Sequence, residues 1–275
     1  MKSYLPITAG LRHRKVSLFP SATIAIPKSL KSSWKRAFGR NNIGGITSLH
    51  KGGGPKKLFR HIEFSFANYG KDAESAIILD IHYDSYRSSY IALILFLDGT
   101  LKGTKKYILL TNNLKKGHTL FFGPKAPIQE GNSIPLYLVP LGSNIYNIEL
   151  IPNKGAALVR AGGSNAQLIA LDTKYAIIKL PSGESRLISK NAYCVMGSVS
   201  HSTHALQRLG KAGSTRHKSR RPVVRGVAMN PCDHPHGGGE GRSPIGRKLP
   251  YTHFGKPGRG IKTRRSKKPS SHYIL

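Results

Sequence analysis

Negative charge is scarce in this sequence: 12 Asp and Glu stand against 44 Lys and Arg, which leaves a formal net charge of +32. No acidic residue occurs before Glu63. An excess of one sign this large opposes compaction unless a polyanion offsets it. The composition therefore predicts a polyanionic partner, and nucleic acid is the first candidate.

Long apolar runs and cysteines are also few. The longest apolar run, from Tyr90 to Leu97, is far below the roughly 18 residues that a membrane-spanning helix needs, so no membrane partner is predicted. Cys194 and Cys232 could form at most one disulfide, and they supply too few ligands for a zinc ribbon. These shortages argue against a membrane-spanning protein and against a small secreted protein held by disulfides.

The charge is unevenly distributed along the chain. Apart from Asp233 and Glu240, every acidic residue lies between positions 63 and 200, together with nearly all the strongly apolar stretches. The basic flanks, residues 1–62 and 201–275, cannot bury enough apolar surface to offset the entropy of ordering. We therefore predict a globular body between two extensions that become ordered against RNA.

The body has the pattern of an antiparallel all-β fold, because short β-branched and aromatic stretches alternate with turn residues. Strands this short are typical of small barrels, and two barrels fit the available length. One helix is predicted, at 202–209, with Gly210 as its C-terminal cap. The predicted strands are 75–83, 89–97 and 106–111 in the first half of the body and 167–171, 175–180 and 185–189 in the second.

The segment 225–242 combines histidines, acidic residues and three consecutive glycines. The glycine run at 237–239 favours a loop, since glycines without a Cβ let the backbone approach a ligand closely. Arg225 and Arg242 can each form paired hydrogen bonds to phosphate. The segment therefore predicts an RNA-facing loop, with a flexible, solvated surface loop as the plainer alternative.

Two chemical alternatives remain open for this loop. Cys232, His234 and His236 alternate along the chain beside Asp233, so they could share one side and hold a metal ion, although prolines interrupt the segment. Cys232 could also act as a nucleophile with one of the histidines, but groups so close in sequence seldom reach the required geometry. We predict neither a metal site nor an enzyme here.

A second glycine run, at 52–54, lies among basic residues in the segment HKGGGPKK. It lacks the order of residues that a nucleotide-binding loop requires, and so does GKAGST at 210–215. Basic side chains beside glycine suit contacts with the sugar-phosphate backbone. Trp34, Phe38 and Phe59 could stack on unpaired bases. For Phe59, anchoring of the extension to the body is an equal alternative.

These segments resemble the ribosomal protein L2 family of the large subunit. RPVVRGVAMNPCDHPHGGGEGR at 221–242 is similar to the family's signature, and GRNNIGGITSLHKGGGPKKLFR at 39–60 is similar to its N-terminal RNA-contacting segment. YDSYRSSYIALILFLDG resembles the family's first barrel, whereas LGSNIYNIEL and LPSGESRLISKN resemble its second. The order of the segments also matches over nearly the whole chain.

The resemblance implies an oligonucleotide-binding (OB) type barrel at 63–130 and an SH3-like barrel at 131–200. Basic extensions at 1–62 and 201–275 would be threaded into large-subunit rRNA. Roles in subunit assembly, in association with the small subunit and in support of the peptidyl transferase centre are implied as well. The implied partners are rRNA, neighbouring large-subunit proteins and the small subunit. No cofactor is expected, with magnesium shared with rRNA left open.

The match to the family's signature implies that His234 is the histidine that the family places nearest the peptidyl transferase centre. Asp233 and His236 flank it. One imidazole cannot be assigned as a general base from sequence, so its expected role is support. The residues predicted to bind rRNA are Arg40, Asn41, Asn42, His50, Lys51, Gly52, Gly53, Gly54, Lys56, Lys57, Arg60, Arg87, Lys211, Arg221, Arg225, Asn230, Gly237, Gly238, Gly239, Arg242 and Arg247.

The chain departs from the family pattern at a few positions. Gly45 and Leu49 stand where arginine is usual, and Pro55 stands where histidine is frequent. Cys232 replaces a valine of similar size, which favours packing over chemistry. Together with the bacterial-type signature, these changes indicate a diverged organellar protein. We expect it in the mitochondrial matrix, within the mitochondrial ribosome, with the plastid as the alternative.

Overall fold

The computed structural model describes residues 1–34, 38–66, 74–265 and 267–275. Positions 67–73 of the predicted first barrel therefore lie outside the described residues. The chain forms two compact units. The first unit comprises Met1–Lys35, Lys56–Gly210 and His272–Leu275, and the second comprises Arg36–Pro55 and Lys211–Ser271. The borders between the four predicted segments remain predictions.

The fold is all-β, as the sequence predicted, and the six predicted strands are confirmed to within about two residues. In chain order the strands are β1 Lys2–Ser3, β2 Lys15–Val16, β3 Lys31–Ser33, β4 Leu58–Arg60, β5 Glu74–Tyr83, β6 Tyr90–Phe96, β7 Lys105–Leu109, β8 Thr119–Phe122, β9 Ser133–Pro135, β10 Asn144–Tyr146, β11 Ile148–Glu149, β12 Ala156–Leu158, β13 Ala166–Leu171, β14 Tyr175–Lys179, β15 Ser185–Ser189 and β16 Tyr193–Met196.

The predicted helix at 202–209 is wrong in length and type. Ser202–Leu206 forms a short 3-10 helix, and Gln207 is already extended. The N–H of Arg208 donates to the carbonyl of Lys15 instead of continuing the helix. Pairing with the N-terminal segment therefore overrides the helical pattern. Ala212–His217 forms a short α-helix, α1, that was not predicted. The other 3-10 helices are Lys28–Leu30, Leu136–Leu138, Gly226–Ala228 and Pro269–Tyr273.

A ten-stranded sheet runs through the first unit in the order β15-β14-β13-β10-β16-β9-β8-β5-β6-β7. Its neighbours are antiparallel except β8 and β9, which pair in parallel through Phe122 and Ser133. The short pairs β1-β2, β3-β4 and β11-β12 lie outside this sheet. The alternation of buried and less buried side chains along β5 and β14 follows the two-residue period of a strand.

Two hydrophobic clusters fill the two ends of the sheet. The first is built mainly on β5 to β8, where Tyr107, Phe96 and Phe122 are among the largest fully buried side chains. The second surrounds β9 to β16 and includes Ile134 and Leu136. Two separate cores on one all-β chain agree with an OB-type barrel followed by an SH3-like barrel.

The N-terminal segment is attached to the body by one buried carboxylate. Oδ2 of Asp80, on β5, accepts the backbone N–H groups of Thr23 at 2.6 Å and Ile24 at 2.7 Å. The Lys116 ammonium lies 2.5 Å from Oδ1. Burial alone would raise the Asp80 pKa, but Lys116 and the backbone donors together lower it well below its ordinary value. Asp80 therefore stays charged and holds this part of the predicted extension against the barrel.

A second anchor joins the N-terminal segment to the chain beyond the second barrel. His201 Nε2 lies 2.7 Å from the Ser17 hydroxyl, and its Nδ1 lies 2.6 Å from the Ser88 carbonyl. The Gln207 amide also donates to Ser17. Segments almost two hundred residues apart therefore meet at one buried imidazole.

Candidate nucleic-acid interface

In the second unit, two basic glycine-containing segments that are far apart in sequence pair with each other. The Gly52 N–H donates to the Ser219 carbonyl at 3.1 Å, and the Arg221 N–H donates to the His50 carbonyl at 3.1 Å. Lys51 is thereby paired with Arg220 in an isolated antiparallel bridge. Two cationic stretches thus run side by side, a geometry that a polyanionic backbone can follow.

Glycine is required at this junction for two physical reasons. Gly54 has a φ of +79°, which L-residues with a side chain rarely adopt. A Cβ at Gly54 would also lie 2.5 Å from the Ser219 hydroxyl and 2.9 Å from the His217 carbonyl. The glycine run therefore lets the two basic segments approach each other, in addition to any approach to RNA.

We expect Gly54→Ala to weaken binding of the full-length protein to an rRNA fragment roughly fivefold to a hundredfold, the range given by typical overpacking energies. Gly44→Ala is the matched control, because Gly44 has a similar φ of +84° and nothing within 4 Å of its Cβ position. Filter binding or fluorescence anisotropy measures both affinities. Equal losses in the two variants would show that backbone strain, rather than segment pairing, matters.

The cations of the second unit have few anionic neighbours. Asp233 and Glu240 are its only acidic residues, and the ion pairs found among the described residues all lie in the first unit. Lys51, Arg220 and Arg225 are solvent-exposed. Exposed cations without acidic partners can bind the phosphates of a nucleic acid. This binding releases the counterions that surround the phosphates, and the release favours the complex.

The predicted histidine loop is a set of tight turns closed by its own backbone. The N–H groups of Asp233 and His234 donate to the Asn230 carbonyl, and the Gly238 N–H donates to the Met229 carbonyl at 3.0 Å. A Cβ at Gly237 would overlap the Asn230 carbonyl. The glycines therefore fold the loop back on itself, an intramolecular role that sequence alone did not show.

The two histidines of the loop are oriented by backbone amides. The His236 N–H donates to Nδ1 of His234 at 3.1 Å, and the Tyr251 N–H donates to Nε2 of His236 at 2.9 Å. The His234 ring also contacts His253 edge-on, with ring centroids 6.3 Å apart. Partial burial, followed by the nearby His236 and His253, lowers the pKa of His234. The lowered pKa favours the neutral form of this imidazole.

Arg247 fixes the far side of the loop. Its Nε donates to the Pro235 carbonyl at 3.4 Å, and its guanidinium lies 5.2 Å from the centre of the Tyr251 ring. Cys232 is exposed and forms no disulfide. Within the described part of the chain, no group of three or more His, Cys, Asp or Glu is placed to hold a metal ion.

Arg60 and Arg87, both predicted to bind rRNA, lie on the first unit and share one carboxylate. Asp84 is fully buried and pairs with Arg87 at 2.6 Å and with Arg60 at 3.4 Å. The side chain of Arg87 is 21% exposed, and that of Arg60 is 13% exposed. Asp84 therefore orients two cations and reduces the positive charge that they present.

Aromatic side chains gather beside these arginines. Phe59 contacts Trp34, His61 and Tyr86 edge-on, at 4.6, 5.4 and 5.6 Å between ring centroids. These contacts agree with the alternative prediction that Phe59 anchors the N-terminal extension to the body. Trp34 remains 59% exposed and Phe38 50% exposed, which leaves both rings surface for stacking on a base.

The structure places the predicted binding residues in both units. Lys56, Lys57, Arg60 and Arg87 belong to the first unit, and all the others belong to the second. Several residues that shape the interface were not predicted from the sequence, because their roles arise from contacts that form only when the chain folds. These residues are Ser219, Arg220, Gly226, Tyr251 and His253.

None of the helices that the described residues form has the length and apolar character needed to cross a membrane. Comparison with protein-family models gives two matches. Residues 27–122 match the RNA-binding N-terminal domain of ribosomal proteins L2, and residues 129–255 match the C-terminal domain of the same proteins. The matches follow each other without overlap and cover most of the chain. The chain therefore belongs to the ribosomal protein L2 family and is a large-subunit ribosomal protein that binds RNA.

Proposed function

We propose that this protein is a structural constituent of the large ribosomal subunit that supports subunit assembly, association with the small subunit and the peptidyl transferase centre. The observation that carries the proposal is the pairing of 50–52 with 219–221, which aligns exposed cations in a unit nearly devoid of acidic residues. Such a surface suits the shape and charge of folded rRNA rather than a base sequence. Neighbouring large-subunit proteins would meet the barrels.

Support of the peptidyl transferase centre is assigned to the loop that holds Asp233, His234 and His236. Its hydrogen bonds to Asn230, Met229 and Tyr251 keep the imidazoles in fixed orientations. A rigid loop can hold nearby RNA in one conformation at low entropic cost. In this proposal the protein contributes no catalytic residue and no cofactor of its own. Any magnesium ion at the loop would be shared with rRNA phosphates.

Sedimentation tests the structural assignment against a free RNA chaperone or a separate enzyme. Native protein is expected to co-sediment with large subunits in sucrose gradients at moderate salt, because its exposed cations need a polyanion. Quantitative blotting across the gradient provides the measurement. A predominant pool at the top of the gradient, in monomer-sized fractions, would contradict the assignment.

We also propose that the protein works in the mitochondrial matrix, within the mitochondrial ribosome. Support comes from the bacterial-type signature at 221–242 together with divergent positions such as Gly45, Leu49 and Cys232. In protease-treated, purified mitochondria the protein should remain intact and co-purify with ribosomes. Recovery from purified plastids instead would favour the plastid alternative.

A further inference from the structure

Two imidazoles of the loop accept hydrogen bonds from backbone amides, and this constrains where their protons can be. A backbone N–H can only donate, so the ring nitrogen that receives it carries no proton. His234 receives the His236 N–H at Nδ1, and His236 receives the Tyr251 N–H at Nε2. In their neutral forms, His234 must then be protonated at Nε2 and His236 at Nδ1.

The protonated nitrogen of His234 is available to a ligand. Its Nε2 makes no hydrogen bond to any residue that the structure describes, and it is not among the buried polar atoms that lack a partner. Gly226 lies against the same ring. A Cβ at Gly226 would fall 2.5 Å from Cε1 and Nδ1 of His234 and 2.7 Å from Nε2.

We propose that the loop locks His234 as the Nε2–H tautomer, so that it presents a hydrogen-bond donor to an acceptor oxygen or nitrogen of RNA. Gly226, His236 and Tyr251 are the positioning residues. The proposal rests on the proposed function, which places this loop beside RNA. The locked tautomer cannot take a proton at Nε2, and taking one at Nδ1 would break the bond from the His236 amide. His234 is therefore a donor and not a general base.

The charged and titratable groups around the ring agree with a neutral donor. His236 and His253 face His234 with ring centroids at 4.8 and 6.3 Å, and neither supplies a negative charge. Arg247 contacts the loop at Pro235. Asp233 is the neighbouring residue in sequence and is exposed. The lowered pKa of His234 is in keeping with this environment.

Nitrogen NMR of the imidazoles tests the tautomers directly. Full-length protein labelled with nitrogen-15 at histidine is examined by two-bond proton–nitrogen correlation at pH 7.5. His234 should show the Nε2–H pattern and His236 the Nδ1–H pattern, with assignments from His234→Ala and His236→Ala. The exposed His13 serves as a control that should show averaged tautomers. An averaged or Nδ1–H pattern for His234 would overturn the proposal.

Gly226→Ala displaces the imidazole while leaving it chemically intact. Its Cβ should push the ring away from the His236 amide, so the Nε2–H pattern of His234 should be lost. Gly213→Ala is the matched control, since nothing lies within 4 Å of its Cβ position. Retention of the locked pattern in Gly226→Ala would count against the geometry on which the proposal rests.

Translation by ribosomes carrying variants separates this proposal from the proposed function. His234→Ala should slow peptide synthesis roughly two- to tenfold, the factor expected from one net hydrogen bond. His234→Gln, whose amide can reach the Nε2 position, should recover more activity than His234→Asn. Normal synthesis in all three variants would contradict the proposed function. Impairment in all three without better recovery by Gln would overturn only the donor assignment.

Discussion

Raising the salt concentration from 50 to 200 mM is expected to weaken binding of the full-length protein to an rRNA fragment by about a thousandfold or more. A protein that neutralises roughly six to ten phosphates loses about 10³ to 10⁵ in affinity over this range, because released counterions drive binding. The second unit presents a comparable set of exposed cations with only Asp233 and Glu240 as acidic residues. Fluorescence anisotropy across a salt series measures the slope.

Substitutions that each remove one positive charge show which residues produce this salt dependence. Lys51→Gln and Arg221→Gln should each reduce the steepness of the logarithmic salt dependence by about one, the expected value for one lost phosphate contact. Lys179→Gln is the matched control, because Lys179 is an exposed cation on β14 of the second barrel and is not a predicted binding residue. Identical slopes for all three variants would show that net charge alone, rather than the paired segments, drives binding.

Asp80→Asn is expected to lower the free energy of unfolding of the full-length protein by about 2 to 4 kcal/mol, as for loss of a buried, hydrogen-bonded carboxylate. The side chain of Asp80 is fully buried, whereas that of Lys116 is 39% exposed. The ion pair itself is therefore partly screened. An asparagine has one acceptor oxygen in place of two. Its NH₂ group must therefore face either the amides of Thr23 and Ile24 or the Lys116 ammonium, and those donors lose their acceptor.

Urea titration followed by Trp34 fluorescence and circular dichroism measures the change. Asp172→Asn is the matched control, since Asp172 is exposed in the turn between β13 and β14 and should change stability by less than about 0.5 kcal/mol. Trypsin should also cleave near Arg14 and Lys15 faster in Asp80→Asn. Unchanged stability and unchanged cleavage would show that Asp80 does not hold the N-terminal segment.

The Asp80 contribution should depend on pH in a defined direction. Its folded-state pKa is lowered from the ordinary value of 3.8, so the stabilisation is fully present above the unfolded-state pKa and is lost as the pH falls through the folded-state value. The adjacent His82 has a pKa lowered chiefly by burial. The stability difference between wild type and Asp80→Asn should therefore hold from pH 7 to about 5 and shrink towards pH 3.

Much of the molecule follows from local sequence patterns. The period-two alternation around Ile78 and Ile178 predicted strands because each strand buries one face, and the turn residues limited their lengths. The glycine run at 237–239 predicted a loop for a similarly local reason. Charge distribution predicted a polyanionic partner, and the motifs identified the family that the domain matches then confirmed.

The helix prediction at 202–209 was wrong because the spacing of apolar residues gives no information about pairing with a distant segment. Gln207 and Arg208 bond to Ser17 and Lys15 instead. The attachment of the N-terminal segment by Asp80 has the same character, since nothing in the sequence around Thr23 indicates a carboxylate on β5. Contacts of this kind depend on which distant segments the fold brings together.

The all-β class, the basic character of the RNA-binding segments and the family can be predicted from the sequence, since composition and period are encoded locally. The pairing of 50–52 with 219–221, the orientation of Arg60 and Arg87 by Asp84, and the bond from the His236 amide to Nδ1 of His234 become visible in the folded chain. These features depend on hydrogen-bond directions and on steric fit at glycines, which arise only after the chain has folded.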